Sequence, residues 1–146
     1  MKYCFAALLE RTIALMEIDF IDIKIVSLED EMTVQSHDEP SLRYIYLKLS
    51  RTPPPLWQTY FKESRKIARH PHWRKAWIDR KYIVVECVPE EIETYHLKDL
   101  KQDLAKANSR YRHYLEQQSQ KEHVKKTIYH QEREKLRDIK SRLNFD

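Results

Sequence analysis

Residues 42–69 read LRYIYLKLSRTPPPLWQTYFKESRKIAR, and two different periods meet in them. From Leu42 to Ser50 the chain alternates, with Ile45, Leu47 and Leu49 on one side and Tyr44, Tyr46 and Lys48 on the other. Such alternation marks a half-buried strand. Prolines occupy 53, 54 and 55. Proline suits the first turn of a helix, where the amide it lacks would have no intrahelical partner. From Leu56 the apolar or small residues recur at 56, 57, 60, 61, 64, 67 and 68, one face of a helix. Lys62, Arg65, Lys66 and Arg69 take the opposite face, within roughly 100° of one another. A strand that runs into an amphipathic helix sets the fold class at α+β. The expectation is a small antiparallel sheet packed by one basic helix over 55–69.

Towards the C-terminus, His70-Pro71 ends the helix, because proline disfavours helical backbone at the residue before it. Residues 74–78 read as a strand, Asp79-Arg80 as a turn, and 82–88 as the strand of clearest alternation, with Ile83, Val85 and Cys87 inward. Towards the N-terminus, 18–28 alternates with Ile21, Ile23 and Ile25 on one face. Glu29 to Glu31 reads as a turn, 32–35 as a short strand and 36–41 as a loop. Residues 1–17 are apolar in patches and read as a short helix or leading strand. The apolar run is too short, and too interrupted by Glu10-Arg11, for a secretory leader. The inward sets of the three main strands would meet Trp57, Tyr60, Phe61 and Ile67.

Pro89 opens the last element, and Glu90, Glu91 and Glu93 suit the positive end of a helix dipole. No proline interrupts the chain from there to its end. Leu97, Leu100, Leu104, Ala107, Tyr111 and Tyr114 follow a heptad-like spacing. The seam weakens over 117–123 and resumes at Val124, Ile128, Leu136, Ile139 and Leu143, so one long helix or two would fit. The chain thus divides into an α+β domain at 1–89 and a coiled-coil-like helical extension at 90–146. That extension is expected to pack on the domain or to dimerise through Leu97, Leu100, Leu104, Tyr111, Tyr114, Ile128, Leu136 and Ile139.

Charge is concentrated in one place. Residues 62–81 hold eight Lys or Arg against two acids, a net +6, whereas the whole chain carries only +4. Residues 1–61, with six bases and nine acids, are net negative. Glycine is absent, where ordinary usage would supply about ten. Phosphate-cradling loops, dinucleotide fingerprints and nucleophile elbows all need glycine for positive φ or close backbone approach, and are excluded. Cys4 and Cys87 stand far apart and outside any ligand spacing, as in a reduced, cytoplasmic protein. No stretch is long and apolar enough for a membrane-spanning helix. His70 and His72, alternate residues of an extended segment, have a metal-ligand look, with Asp79 or His96 the candidates for a third ligand; His123 and His130, seven apart on one helix face, are a weaker pair. Asp19, Asp22, Glu86 and Lys81 give a faint likeness to a metal-dependent nuclease core, without the acid-x-lysine step on the second strand. No nucleophile stands beside a base.

The sequence therefore reads as a small non-enzymatic protein without a cofactor, associated with DNA or RNA. Lys62, Arg65, Lys66, Arg69, Arg74, Lys75, Arg80 and Lys81 would contact phosphates, and Trp73 and Trp77 would stack on bases. The alternative is a protein-interaction or assembly subunit acting through the long helix, its basic patch docking an acidic partner. A metal-dependent phosphodiesterase using His70 and His72 is the third reading.

Overall fold

The computed structural model describes residues 19–146; the reading of 1–17, and Cys4 with it, lies outside the described residues. Five strands form one antiparallel sheet: β1 (Ile25–Leu28), β2 (Val34–Gln35), β3 (Arg43–Leu49), β4 (Ala76–Asp79) and β5 (Tyr82–Cys87). Their order is β1-β3-β5-β4, and β2 shares the β1 edge of β3. A 3-10 turn at Asp30–Met32, where a simple turn was expected, separates β1 from β2. One helix, α1 (Pro55–Ser64), follows β3. A π-helical turn, Ile92–His96, leads into α2, Leu97–Arg142. The fold is α+β, and the last helix is continuous across the polar stretch at 117–123.

The central register fixes the core. Ile45 pairs with Val85, Leu47 with Ile83, and Ile83 in turn with Ile78. Because side chains alternate along a strand, one face gathers Ile45, Leu47, Leu49, Ile83, Val85 and Cys87, all buried. Val84 is also buried, on the outer face, where Tyr46 and Trp77 are its cross-strand neighbours. On that outer face Tyr44 meets Trp77 edge-on with centroids 5.6 Å apart, and Tyr46 meets Tyr82 at 5.9 Å. At the β4–β5 turn Arg80 takes φ 55°, the left-handed backbone that glycine usually supplies and that this chain must reach without one.

Three expectations need correction. The first strand begins at Ile25, and Ile21 is 75% exposed, so only Ile23 of that N-terminal pair reaches the core. Residues before Ile25 are drawn to α2 instead: the Ile23 backbone bonds to Asn108, and Asp22 pairs with Arg112. The basic helix stops at Ser64, and Ile67, expected as an anchor, is 79% exposed. Tyr60 is half-buried beneath the Arg110 guanidinium, 4.1 Å from its ring centroid. The strand expected from residue 74 begins at Ala76.

Compact packing divides the described residues at Arg112. One unit is Phe20–Arg112; Asp19 and His113–Asp146 fall in the other. In the first unit, Leu100, Asp103, Leu104, Ala107 and Asn108 form the buried face of α2. Leu100 and Leu104, expected to serve oligomerisation, belong to this intrachain core and offer no surface to a second chain. Leu97 is half-buried, and Tyr111 packs on Phe20 with centroids 4.8 Å apart. In the second unit Tyr114 and Ile139 are half-buried, while Val124, Ile128, Leu136 and Leu143 are exposed. No helix among the described residues is long and apolar enough to cross a membrane.

Candidate functional site: a cation-rimmed groove beside an edge strand

The end of α1 is fastened to a side chain on α2. Asp103 is completely buried, and its two oxygens accept from Arg65 Nη1 at 2.6 Å and Arg69 Nη2 at 2.8 Å. Ser64 Oγ reaches the same carboxylate at 3.2 Å. Arg65 also donates to the Arg74 carbonyl at 3.0 Å. Both guanidinium groups lie over the Trp73 ring, at 4.2 and 4.7 Å from its centroid. Burial pulls the Arg65 guanidinium below its ordinary pKa, and Asp103 opposes that pull. Arg65 caps α1, and both it and Arg69, beyond the helix end, reach back to Asp103.

The same segment is pinned at two further points. His70 Nε2 pairs with Asp99, and His70 Nδ1 accepts the His72 backbone amide at 3.1 Å. Both His70 ring nitrogens are therefore engaged, and the His72 ring stacks on Tyr95 at 4.2 Å. This replaces the metal-pair expectation for His70 and His72: the two rings fasten the loop to the start of α2. Arg74 binds Glu91 through Nε at 3.0 Å and Nη2 at 3.3 Å, a contact that raises the Arg74 pKa.

The eight cations of the basic stretch thus divide. Arg65, Arg69 and Arg74 hold internal carboxylates. Arg80 sits 3.4 Å from Asp79 at the hairpin turn, and Lys81 lies over Tyr82. Lys62, Lys66 and Lys75 are exposed and make no ion pair among the described residues. These three border a groove of about 780 Å³ between α1 and β4. Its apolar surface comes from Pro55, Phe61, Ala76 and Ile78, and Arg65, Trp73 and Arg74 also line it. Trp77 borders the groove, but strand parity turns its ring to the outer face against Tyr44. Both tryptophans expected to stack on bases thus border the groove, but the Trp77 ring packs on Tyr44 and Trp73 is already covered by guanidinium groups.

One wall of the groove is a sheet edge. β4 pairs only with β5 among the described residues. The Lys75 carbonyl accepts the Glu86 amide, so Lys75 faces β5. Backbone groups alternate in direction along a strand, and those of Ala76 and Ile78 consequently face away from β5. An edge of this kind is a template for a further strand.

A second cluster of polar side chains was not foreseen as a group. Cys87, Glu91 and His96 bring one sulfur, one oxygen and one nitrogen within 4.8 Å of one another. Cys87 and His96 are buried. Burial pushes the Cys87 thiol up to about 12 and holds the His96 imidazole below its ordinary value. Burial works to raise the Glu91 carboxyl, but hydrogen bonds from Arg74, His96 and the Val88 amide outweigh it and leave it lowered. A signal existed: Cys87 has inward strand parity, and stepping back four residues from Leu100 along the buried face of the helix gives His96.

No family model, curated protein or solved structure matches the chain.

Proposed function

We propose that the protein is a non-enzymatic docking module whose α1–β4 groove takes an extended acidic peptide as an added strand. The observation that carries this reading is the unpaired β4 edge facing an apolar groove rimmed by Lys62, Lys66 and Lys75. Strand addition draws affinity from main-chain hydrogen bonds and specificity from pockets for alternate side chains. Ala76 and Ile78 supply the outward amides and carbonyls, and the apolar surface beside them accepts every second side chain of the guest. The lysines favour acids at the intervening positions, and long-range attraction speeds encounter. A nucleic-acid strand is the other polyanion that these lysines would accept. The edge-strand amides favour the peptide, as does the use of Arg65, Arg69 and Arg74 inside the fold.

The Lys62→Glu/Lys66→Glu/Lys75→Glu variant tests the electrostatic half. A fluorescein-labelled nine-residue peptide of alternating valine and glutamate should bind it at least about fivefold more weakly than wild type, since three exposed pairs together contribute about 1–3 kcal/mol. Reversal of Lys98, Lys101 and Lys106, exposed residues that do not line the groove, should leave binding within about threefold. Equal losses in the two variants would reduce the effect to net charge and remove the groove from it.

A further inference from the structure

Cys87, Glu91 and His96 sit where the last strand of the sheet hands over to the last helix. Cys87 ends β5 on the inward face. Glu91 and His96 come from the first turns after Pro89, and His96 closes the π-helical turn Ile92–His96. Single π turns recur at functional sites, because the widened backbone re-aims a side chain. The three donors are one thiol, one carboxylate and one imidazole, and no pair of their ligand atoms is more than 4.8 Å apart. Glu91 Oε1 and His96 Nε2 are 3.4 Å apart. Two ligands about 2.0–2.3 Å from a tetrahedral zinc ion stand about 3.3–3.6 Å from each other. The carboxylate–imidazole edge already has that length, and the thiol needs a shift of about 1 Å.

We propose that Cys87, Glu91 and His96 form a binding site for one thiophilic divalent cation of the zinc type. A thiolate, an imidazole and a carboxylate match the borderline softness of zinc better than the hardness of magnesium or calcium, which prefer oxygen alone. The surroundings supply supporting contacts. Arg74 grips Glu91 through two nitrogens, and the Val88 amide donates to Glu91 Oε1 at 3.3 Å, so the carboxylate is held in place before a metal arrives. The balance of the step is simple: Cys87 S–H gives its proton to solvent, the sulfur lone pair binds the ion, and the His96 Nε2 proton moves to Nδ1. Nothing is oxidised or reduced. The site receives a dication and loses one proton, so about one proton per ion appears in solution at neutral pH. Three protein ligands leave a fourth position for water.

Cobalt titration of the full-length protein tests the site, because a tetrahedral cobalt thiolate has an intense near-ultraviolet charge-transfer band. One equivalent of cobalt should develop that band, and zinc should bleach it. The band should survive Cys4→Ser, which leaves Cys87 as the sole thiol, and disappear in Cys87→Ser. His96→Gln should weaken cobalt binding about tenfold or more, the low end of what loss of even a supporting partner does to a metal site. If Cys87→Ser fails to fold by circular dichroism, the Cys4→Ser spectrum decides alone. No band at one equivalent, or a band lost with Cys4→Ser, would overturn the proposal.

Discussion

Asp103→Ala should lower the unfolding free energy by about 3–5 kcal/mol, read from urea denaturation. The carboxylate is fully buried between Arg65, whose side chain is only 6% exposed, and Arg69. Its removal leaves a desolvated guanidinium without a counter-charge, and that uncompensated charge accounts for most of the loss. The damage should extend along the chain. Arg65 and Arg69 also cover Trp73, and Arg65 ties the loop to the Arg74 carbonyl. The segment from Arg65 to Lys75 should therefore lose order before the sheet does. The double variant Arg65→Met/Asp103→Leu removes both charges and should recover much of the stability. A loss below about 1 kcal/mol for Asp103→Ala would mean that the pair is not structural.

Asn108→Ala should be nearly as damaging, at about 3–5 kcal/mol, by a different physical route. Its Oδ1 accepts the Ile23 amide at 3.0 Å and Trp57 Nε1 at 2.9 Å, and its Nδ2 donates to the Ile23 carbonyl at 3.0 Å. One side chain on α2 thus satisfies the segment before β1 and the fully buried indole of α1. Truncation leaves three polar groups buried without partners, each worth about 1–3 kcal/mol. Asn108→Asp isolates the donor: both accepted bonds survive, while a second oxygen now faces the Ile23 carbonyl. Trp57→Phe removes only one of the three bonds and should cost clearly less. Thermal unfolding of the three variants should rank Asn108→Ala as the least stable, with Trp57→Phe closest to wild type. Indistinguishable melting of Asn108→Ala and wild type would show that Asn108 does not join these elements.

These two polar residues also mark where the sequence is legible and where it is not. The strands β3 and β5 are visible because alternation is a local signal, and Ile45, Leu47, Leu49, Ile83, Val85 and Cys87 all fall on the buried face that their parity demands. The helix end is invisible for the opposite reason. Ile67 and Ala68 continue the apolar period past Ser64, yet the capping Arg65 is held by Asp103, 38 residues away. Asp103 and Asn108 themselves lie at inward positions of the stripe through Leu100, Leu104 and Ala107. A polar residue at such a position announces a buried partner, although its identity needs the fold. Of the ten residues first assigned to the basic surface, Lys62, Arg65, Lys66, Trp73, Arg74, Lys75 and Trp77 border one groove. The division between pairing cations and exposed ones could not be read, because every acid that neutralises Arg65, Arg69 and Arg74 lies on the final helical region.

Strand addition at β4 is tested most directly by deleting one outward-facing amide. Ala76→Pro removes a hydrogen that does not serve β5, and proline is tolerated on a sheet edge when its nitrogen faces solvent. Anisotropy of the labelled valine–glutamate peptide and of a single-stranded oligonucleotide would be followed with wild type and Ala76→Pro, from about 50 to 200 mM salt. The folded variant should lose the peptide by about tenfold or more, the order expected for a main-chain hydrogen bond and its neighbours. Equal peptide binding by wild type and Ala76→Pro, or tight oligonucleotide binding with no peptide binding at all, would contradict strand addition.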